Sequence, residues 1–368
     1  MKVKLADVCT CESSNLKQSD VINISGKYPV YGATGKIGYV DTYKQEKPYI
    51  AIVKDGAGIG RTHLCDSKSS VIGTLQYILP KDNVLPEYLF YVIKHMHLEK
   101  YYSGATIPHI YFKNYKNEEF NLDSINKQET IINILNDCNK LIKLKETQLQ
   151  KYDDLIKARF IEMFGDPIIN SFRIETKPMT DVCEIIDGDR GKNYPTADEF
   201  FDEEYCLFLN AKNVTSTGFN FDTCMFVTKE KDEALRKGKL SRGDIVLTTR
   251  GTLGNLAFYT KAVPFEHVRI NSGMVILRMK QDIVDEMYFI EQFKMQLADI
   301  REKIASGSAQ PQLPISTMNK INILIPNIEK QRQFADFVRQ IDKSKLAVQK
   351  SLEKTQQLFD SLMQEYFG

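Results

Sequence analysis

Two glycine-rich loops carry the residues whose types and spacing come nearest to known chemistry. Residues 54–62 read KDGAGIGRT, and residues 248–256 read TTRGTLGNL. A nucleotide-binding loop would also need Lys-Ser/Thr after it, or a strand–helix–strand unit with an acidic residue about 20 positions further on. Asp66 is too close for that role. Three interpretations stay open: a nucleotide phosphate cradle, a plain turn between strands, and a turn whose backbone approaches another polyanion.

An acidic pattern in the same region is typical of a metal-dependent phosphodiesterase. Asp55, Asp66 and Lys68 have the order in which two carboxylates hold Mg²⁺ and a lysine supports the attacking water. The pattern is short, the second loop has no counterpart of it, and a solvated hairpin loop is the alternative. The five histidines and seven cysteines show no metal-ligand spacing, so we predict no metal site. No catalytic triad can be assigned either, and we predict no catalytic residues.

Polar, basic and aromatic residues concentrate in turns of the sequence, at 27–36, 187–195 and 306–312 as well as in the glycine loops. Arg, Lys, Asn and Gln read base edges in the major groove, and Lys, Thr and Tyr commonly contact phosphates. For any single residue, stiffening a sheet or solvating a turn is the alternative. The predicted DNA-binding residues are Lys27, Tyr31, Thr34, Lys36, Lys54, Arg61, His109, Arg190, Lys192, Asn193, Lys212, Arg250, Ser308, Gln310 and Gln312.

The elements that must position these residues occur twice. Residues 103–129 align with residues 306–332 at a constant offset of 203, and the register continues without a gap to the last residue, with thirteen identities. The starts of the two copies, LADVC at 5–9 and MTDVC at 179–183, are offset by 174, so the second copy holds 203 − 174 = 29 extra residues. Each copy therefore has a variable front and a rear of fixed length.

The rear of each copy has the pattern of a long helix. Residues 126–164 contain no Pro or Gly, and apolar positions recur at alternating spacings of four and three in both rears. Each helix would be about 55–60 Å long at 1.5 Å per residue. A helix with one apolar stripe is not stable alone, so we predict an antiparallel pair. The predicted seam consists of Ile131, Leu135, Ile142, Leu149 and Ile156 in the first helix and Phe334, Val338, Ile341, Val348, Leu352 and Phe359 in the second, each interrupted by a lysine.

The fronts have a different pattern. Short β-rich runs such as PYIAIV at 48–53 and GDIVLTTRG at 243–251 are divided by glycine turns, and a helical stretch follows them in each front. The predicted fold class is α+β, with two mixed globular domains separated by two long antiparallel helices and an internal pseudo-twofold repeat. The predicted segments are 1–122 and 166–326 for the globular domains and 123–165 and 327–368 for the helices.

Charge and hydropathy limit the classes of function. The 49 basic and 48 acidic residues leave a net charge of +1, which excludes a histone-like polycation but allows local basic patches. The sequence shows neither a signal peptide nor a run of about 18 apolar residues, so we expect a cytoplasmic protein without a membrane partner.

The repeated joint, Ser-Gly-x3-Pro-x16-Ile-x-Lys-Gln followed by a long helix, resembles that of the specificity (S) subunit of type I restriction-modification enzymes. The ends ARFIEMFGD at 158–166 and LFDSLMQEYFG at 358–368 are also similar, and the resemblance covers nearly the whole chain. It implies that the fronts are target recognition domains and that the helices form a spacer between them.

The resemblance also implies partners and cofactors. The ligand would be double-stranded DNA, and the partners would be two methyltransferase (M) subunits and restriction (R) subunits. S-adenosylmethionine, ATP and Mg²⁺ would be bound by those partners, and no cofactor by this chain. Two readers held apart by a rod would read two half-sites with unread base pairs between them, and the different fronts would make the half-sites differ.

Two functions are therefore compared below. The first is a non-catalytic, sequence-specific DNA-binding subunit of a methyltransferase and nuclease complex. The alternative is a coiled-coil adaptor whose globular domains bind protein, which explains the helices but gives the polar loops of the fronts no role.

Overall fold

A computed structural model describes residues 1–21, 25–104, 108–280, 282–305 and 312–368. The chain divides into two compact units. Unit 1 comprises Met1–Thr147 with Val348–Gly368, and unit 2 comprises Gln148–Ala347. Each unit therefore joins the globular part of one repeat to segments of both long helices.

The first repeat alternates short strands with short helices before one long helix. Its strands are β1 (Lys2–Lys4), β2 (Cys9–Ser13), β3 (Tyr28–Gly32), β4 (Gly35–Val40), β5 (Tyr49–Val53), β6 (Thr62–Cys65), β7 (Ser70–Val71), β8 (Leu75–Pro80) and β9 (Glu119–Asn121). Its helices are α1 (Leu5–Val8), α2 (Pro86–His95), α3 (Phe112–Tyr115) and α4 (Ile125–Phe164), with 3₁₀ turns at Gln18–Asp20 and Leu98–Tyr101.

The second repeat has the same order of elements with additions. Its strands are β10 (Thr176–Pro178), β11 (Cys183–Asp187), β12 (Cys206–Leu209), β13 (Val214–Thr215), β14 (Gly218–Phe219), β15 (Phe226–Val227), β16 (Ile245–Thr248), β17 (Leu256–Phe258), β18 (Val268–Ile270), β19 (Met274–Met279) and β20 (Asn322–Leu324). Its helices are α5 (Met179–Val182), α6 (Lys229–Ala234), α7 (Glu286–Ala305), α8 (Ile315–Met318) and α9 (Ile328–Phe367), with a 3₁₀ turn at Ala197–Glu199.

The sheets of unit 1 enclose a core on both faces of β5. An antiparallel sheet has the order β2-β8-β5-β6, a second sheet has the order β4-β3-β7, and β1 pairs with β9. Ile50 and Ile52 pack on the side of the helices, whereas Tyr49, Ala51 and Val53 pack on the side of the second sheet. The uninterrupted apolar run YIAIV follows from this, because a strand that is buried on both faces needs apolar residues at every position.

The sheets of unit 2 have the same arrangement. The order is β11-β19-β16-β17 in the antiparallel sheet and β15-β12-β18 in the second sheet, and β10 pairs with β20. The second sheet in each unit contains one antiparallel and one parallel pair. The β13–β14 hairpin and α6 lie between β12 and β16, and the described part of unit 1 has no equivalent of them. The additional residues of the second copy therefore fall in its front.

The long helices pack against each other in each unit. In unit 1, Ile131, Leu135 and Ile142 of α4 are buried in one core with Phe359 of α9. Lys145 donates from Nζ to the carbonyl oxygen of Ser351 (3.0 Å) and to the Thr355 hydroxyl of α9. Other residues of the predicted seam in this unit, Val348 and Leu352, are half-buried.

In unit 2 the opposite ends of these helices pack together, so the pair is antiparallel. Ile156 and Phe160 of α4 share a core with Phe334 and Val338 of α9, and the Phe160 and Phe334 rings meet edge to face with centroids 5.4 Å apart. Lys345 forms an ion pair with Asp153 (2.6 Å). The remaining seam residues of this unit, Leu149 and Ile341, are half-buried.

These observations confirm the predicted fold class, a mixed α+β chain with an internal repeat and two paired long helices. Both long helices contain 40 residues. Within the described residues, none of the helices combines the length and the hydropathy of a membrane span.

A buried glutamine joins the globular part of unit 1 to α4. Gln128 is fully buried, and its Oε1 accepts a hydrogen bond from the backbone N–H of Leu85 (2.9 Å), the residue before α2. Its Nε2 donates to the carbonyl oxygens of Asn83 (3.1 Å) and Asp123 (2.9 Å). The side chain therefore fixes the start of α4 against the start of α2.

The same joint occurs in unit 2, at the position 203 residues further on. Gln331 is also fully buried; its Oε1 accepts from the backbone N–H of Asp285 (3.0 Å), and its Nε2 donates to the carbonyl oxygens of Ile283 (3.2 Å) and Pro326 (2.8 Å). The repeated Lys-Gln of the sequence motif thus has a structural reason, because each glutamine satisfies three backbone groups at one helix junction.

We expect Gln128→Ala and Gln331→Ala each to lower the free energy of unfolding by about 2–4 kcal/mol, because each leaves buried backbone groups without partners. The matched control is Gln150→Ala, on the exposed face of α4, which should change it by less than about 0.5 kcal/mol. Urea unfolding followed by circular dichroism measures the difference. Equal stability of all three variants would contradict the structural role of the joint.

Candidate nucleic-acid interface

The glycine loops connect neighbouring antiparallel strands. Residues 54–61 link β5 to β6, and residues 249–255 link β16 to β17. Gly60 has a φ of +80°, and a Cβ there would lie 2.7 Å from the backbone nitrogen of Glu99, so only glycine fits. The nucleotide-cradle interpretation is wrong, because among the described residues each loop is followed by an antiparallel strand and not by a parallel strand–helix–strand unit.

In both units the repeated joint segment lies directly against the glycine loop. In unit 1 the N–H of Ile110 donates to the carbonyl oxygen of Lys54 (2.9 Å), and the N–H of Gly56 donates to that of Pro108 (3.0 Å). In unit 2 the N–H of Leu313 donates to the carbonyl oxygen of Thr249 (3.1 Å). Two segments that are distant in sequence therefore form one surface in each unit.

A charged cluster occupies this surface in unit 1. Asp55 accepts from Lys54 Nζ (2.5 Å), and its other carboxylate oxygen lies 2.6 Å from Nδ1 of His109. Burial acts to raise the pKa of Asp55, but the hydrogen bonds from Lys54 and His109 outweigh it and hold the pKa below its usual value. The carboxylate is thus held ionised between its two partners.

The β3–β4 hairpin joins the same surface through its tip. Arg61, which ends the glycine loop, donates to the carbonyl oxygen of Ala33 in that tip (3.0 Å). Thr34 and Lys36 are exposed beside it. The Arg61 contact therefore brings the hairpin tip to the glycine loop. Lys36 points the other way along the strand pair, because its Nζ lies 4.0 Å from a carboxylate oxygen of Asp66.

Tyr31 has a different environment from the one that a phosphate contact would need. The residue is only 8% exposed, and its hydroxyl donates to Asp66 (2.8 Å). Burial, together with this hydrogen bond, raises the pKa of Tyr31 to about 12. Lys36 Nζ lies 5.9 Å from the centre of the Tyr31 ring, so the tyrosine supports the hairpin that carries the lysine.

The phosphodiesterase interpretation is wrong because its two carboxylates lie at opposite ends of β5–β6. Tyr49, the first residue of β5, pairs with Cys65, the last residue of β6, and Asp66 follows directly at this end. Asp55 lies beyond the opposite end of the two strands, after the last residue of β5. At about 3.3–3.4 Å per residue, the five residues of β5 place them about 17 Å apart, too far to share a metal ion. Among the described residues, no group of three metal-ligating side chains comes together.

In unit 2 a buried aspartate organises the loop that follows β11. Asp189 is 5% exposed and accepts from the backbone N–H groups of Gly191 (2.8 Å) and Arg236 (2.7 Å). These hydrogen bonds, with the Gly191 bond strongest, lower the pKa of Asp189 to about 2 despite burial. The loop presents Arg190 and the exposed Lys192.

Arg190 connects this loop to the glycine loop of unit 2. Its guanidinium donates to the carbonyl oxygen of Ser272 (3.2 Å), and the N–H of Thr249 donates to that of the next residue, Gly273 (2.8 Å). Arg250 follows, exposed, and forms an isolated antiparallel bridge with Gln312. Arg190, Arg250 and Gln312 therefore lie on one surface.

The other predicted DNA-binding residues have separate positions. Lys27 lies at the far end of the β3–β4 hairpin, about 17 Å from its tip by strand rise. Asn193 donates its amide to the carbonyl oxygen of Ala234 (2.9 Å), and Lys212 lines an open groove with Arg301. Ser308 and Gln310 lie outside the described residues.

Sequence reasoning missed two parts of this surface. The turn Asn271-Ser272-Gly273 was not predicted to take part, although its residue types are typical of a turn that meets other loops. Asp189 was not singled out either, because only the tertiary structure shows the two backbone N–H groups that it accepts from.

Comparison with known proteins gives the family. The family model described as "Type I restriction modification DNA specificity domain" matches residues 1–151 and 173–358. The type I restriction enzyme MjaVIII specificity subunit of Methanocaldococcus jannaschii is 23% identical over 312 residues, covering 80% of this chain and 72% of that protein. The MjaIX specificity subunit of the same organism is 22% identical over 307 residues, covering 78% and 69%.

The fold is also shared with a solved structure. The crystal structure of the type I restriction-modification system S subunit from M. genitalium superposes with a TM-score of 0.61 at 17% sequence identity, and the match covers 100% of this chain and 96% of that one. Because the family model matches both repeats, the chain belongs to the family of type I restriction-modification specificity subunits.

Proposed function

We propose that this chain is a non-catalytic subunit that recognises a bipartite site in double-stranded DNA, with one half-site read by each unit. The observation that carries the proposal is the repeated surface, in which the glycine loop and the joint segment meet in both units and carry basic and amide side chains. Family membership supports the same conclusion, since specificity subunits act through DNA sequence.

The chemistry of the two surfaces supports different half-sites. Unit 1 offers Asp55, paired with Lys54, and His109, whereas unit 2 offers Arg250 and Gln312 at the positions equivalent to Asp55 and His109. Since base edges are distinguished by their donors and acceptors, different side chains at one position select different bases. Exposed lysines such as Lys36 and Lys192 would contact phosphates and make the affinity salt-dependent.

The long helices are proposed to dock two methyltransferase subunits and, through the complex, restriction subunits. Large apolar side chains are exposed on both helices, including Leu141 and Leu144 on α4 and Leu346 on α9. An open groove of about 610 Å³ in unit 1 lies beside Leu144. Leu141 and Leu144 are three positions apart, so they are neighbours on one face of α4, and adjacent exposed apolar side chains can form a surface that a partner covers.

The reactions of the complex are then divided among its subunits. S-adenosylmethionine, ATP and Mg²⁺ would be bound by the partners, and this chain would determine which DNA sequence the complex binds. Because the complex would act on host DNA, it would act in the cytoplasm.

Co-expression with the methyltransferase subunit encoded beside this chain tests the proposal. Direct sequencing of host DNA should show N6-methyladenine in a split motif that is present with the chain and absent without it. A methyltransferase that does not bind the chain at all would favour the alternative, a coiled-coil adaptor whose globular domains bind protein.

Exchange of residues 1–122 for the corresponding front of another specificity subunit should change one half of the methylated motif and leave the other half unchanged. The physical reason is that the DNA-facing loops of each unit come from one front. The methylated motif of the chimeric complex is the measurement, with the unexchanged chain as its control. A change in both halves would contradict the assignment of one half-site to each unit.

Leu144→Asp and Leu346→Asp should each weaken co-purification with the methyltransferase subunit at least tenfold, because a charge would be buried at the contact. The matched control is Ile169→Asp. Ile169 is 73% exposed and follows the end of α4, outside both helices. Quantitative affinity capture measures the effect, and retention of the subunit by both leucine variants would place the docking surface elsewhere.

A further inference from the structure

Each unit has a bridged pair of residues at the equivalent position of its surface. Asp55 bridges to His109 in unit 1, and Arg250 bridges to Gln312 in unit 2. His109 and Gln312 are separated by the repeat offset of 203, and each glycine-loop partner lies two residues after its strand, β5 or β16. The backbone geometry is therefore repeated while the side-chain chemistry differs.

The pair in unit 2 is held at its backbone by hydrogen bonds of the neighbouring residues. The residues next to it are tied by the Leu313 to Thr249 hydrogen bond (3.1 Å) and by the Thr249 to Gly273 hydrogen bond (2.8 Å). Arg250 and Gln312 are both exposed, and within the part of the chain that the structure describes neither side chain has a hydrogen-bond partner. Donors and acceptors without partners on a rigid backbone can recognise a ligand.

The pair in unit 1 is organised around the His109 ring. Asp55 binds Nδ1 of His109 at 2.6 Å and is itself held by Lys54 at 2.5 Å. The His109 ring lies nearly parallel to that of Tyr111, with centroids 6.3 Å apart. These contacts use Nδ1 and orient the ring. Among the residues that the structure describes, Nε2 has no hydrogen-bond partner, so it is the ring atom that could bind a ligand.

The spacing of each pair suits neighbouring base pairs. Residues opposite each other in an antiparallel bridge have Cα atoms about 4.5–5.5 Å apart. Successive bases along a DNA strand are about 3.4 Å apart. Arginine recognises guanine through O6 and N7, and glutamine recognises adenine through N6 and N7.

We propose that this bridged pair is the specificity-determining position of each unit: Arg250 selects guanine and Gln312 an adjacent adenine in one half-site, while His109 reads a base through Nε2 in the other. Asp55 is a positioning residue that orients His109. This inference rests on the proposed function, because it assigns residues within the same DNA-binding surface.

Single variants of the exposed pair test the assignment in the co-expressed complex with the methyltransferase subunit. Arg250→Ala should reduce discrimination for guanine at one base pair of its half-site by about tenfold or more, and Gln312→Ala should do the same for adenine at the neighbouring base pair. The measurement is competition binding with a randomised half-site library. The matched control is Lys261→Ala, a basic residue at the opposite end of β16–β17, which should leave both preferences unchanged.

The double variant Asp55→Arg with His109→Gln transfers the unit 2 pair into unit 1. We expect guanine and adenine to appear at two neighbouring positions of the half-site read by unit 1, with the other half-site unchanged. Asp55→Asn alone should alter the base preference at the position that His109→Ala alters. A purely structural role of Asp55 would instead lower the affinity for all sequences equally, which would overturn its assignment.

The outcomes separate this inference from the proposed function. If the unaltered complex selects no split motif, the proposed function fails. If it selects a motif and Arg250→Ala weakens binding to every sequence alike, Arg250 contacts only phosphate and the inference alone is overturned. Arg250→Ala and Gln312→Ala replace exposed side chains, so this part of the test does not depend on whether the double variant folds.

Discussion

Two buried glutamines connect the globular part of each unit to a long helix, and the placement of that helix against its sheet depends on this junction. Gln128 and Gln331 each bind one N–H and two carbonyl groups of the backbone. A matching hydrogen bond in each unit supports them. The Tyr88 hydroxyl donates to the carbonyl oxygen of Asn121, and the Tyr288 hydroxyl donates to that of Leu324, both at 3.1 Å. A buried polar group without a partner is costly, so this junction allows little variation. The constant length of the rear after the joint reflects that constraint.

The two units present different loops on one scaffold. Their four-stranded sheets have the same strand order, and the same two segments meet at the end of the central strands. Buried strands keep these loops in place, while the loop side chains differ between the units. A rigid sheet with variable loops is a common way to change recognition without changing the fold. The internal repeat therefore gives two surfaces of equal geometry and different chemistry.

The additional residues of unit 2 carry their own stabilising interaction. Asp232 of α6 is fully buried and binds Arg269 of β18 (2.5 Å) as well as Lys239. Burial acts to raise the pKa of Asp232, but the two cationic partners outweigh it and lower the pKa. A buried carboxylate needs such partners, and they attach the insertion to the second sheet. The second front can therefore be longer without disturbing the repeated sheet.

The sequence by itself determined the repeat, the two long helices, the α+β fold class and the family, because an offset of 203 residues and a helical periodicity are visible along the chain. Only the tertiary structure decided which loops meet. In the folded chain His109 lies beside Asp55, Asp66 lies at the other end of the β5–β6 pair, and Lys27 lies away from the hairpin tip. The physical reason is that such contacts join residues dozens of positions apart, and strand pairing and register, which residue types and local spacing do not specify, decide them. Local patterns show which residues could act, and folding decides which of them act together.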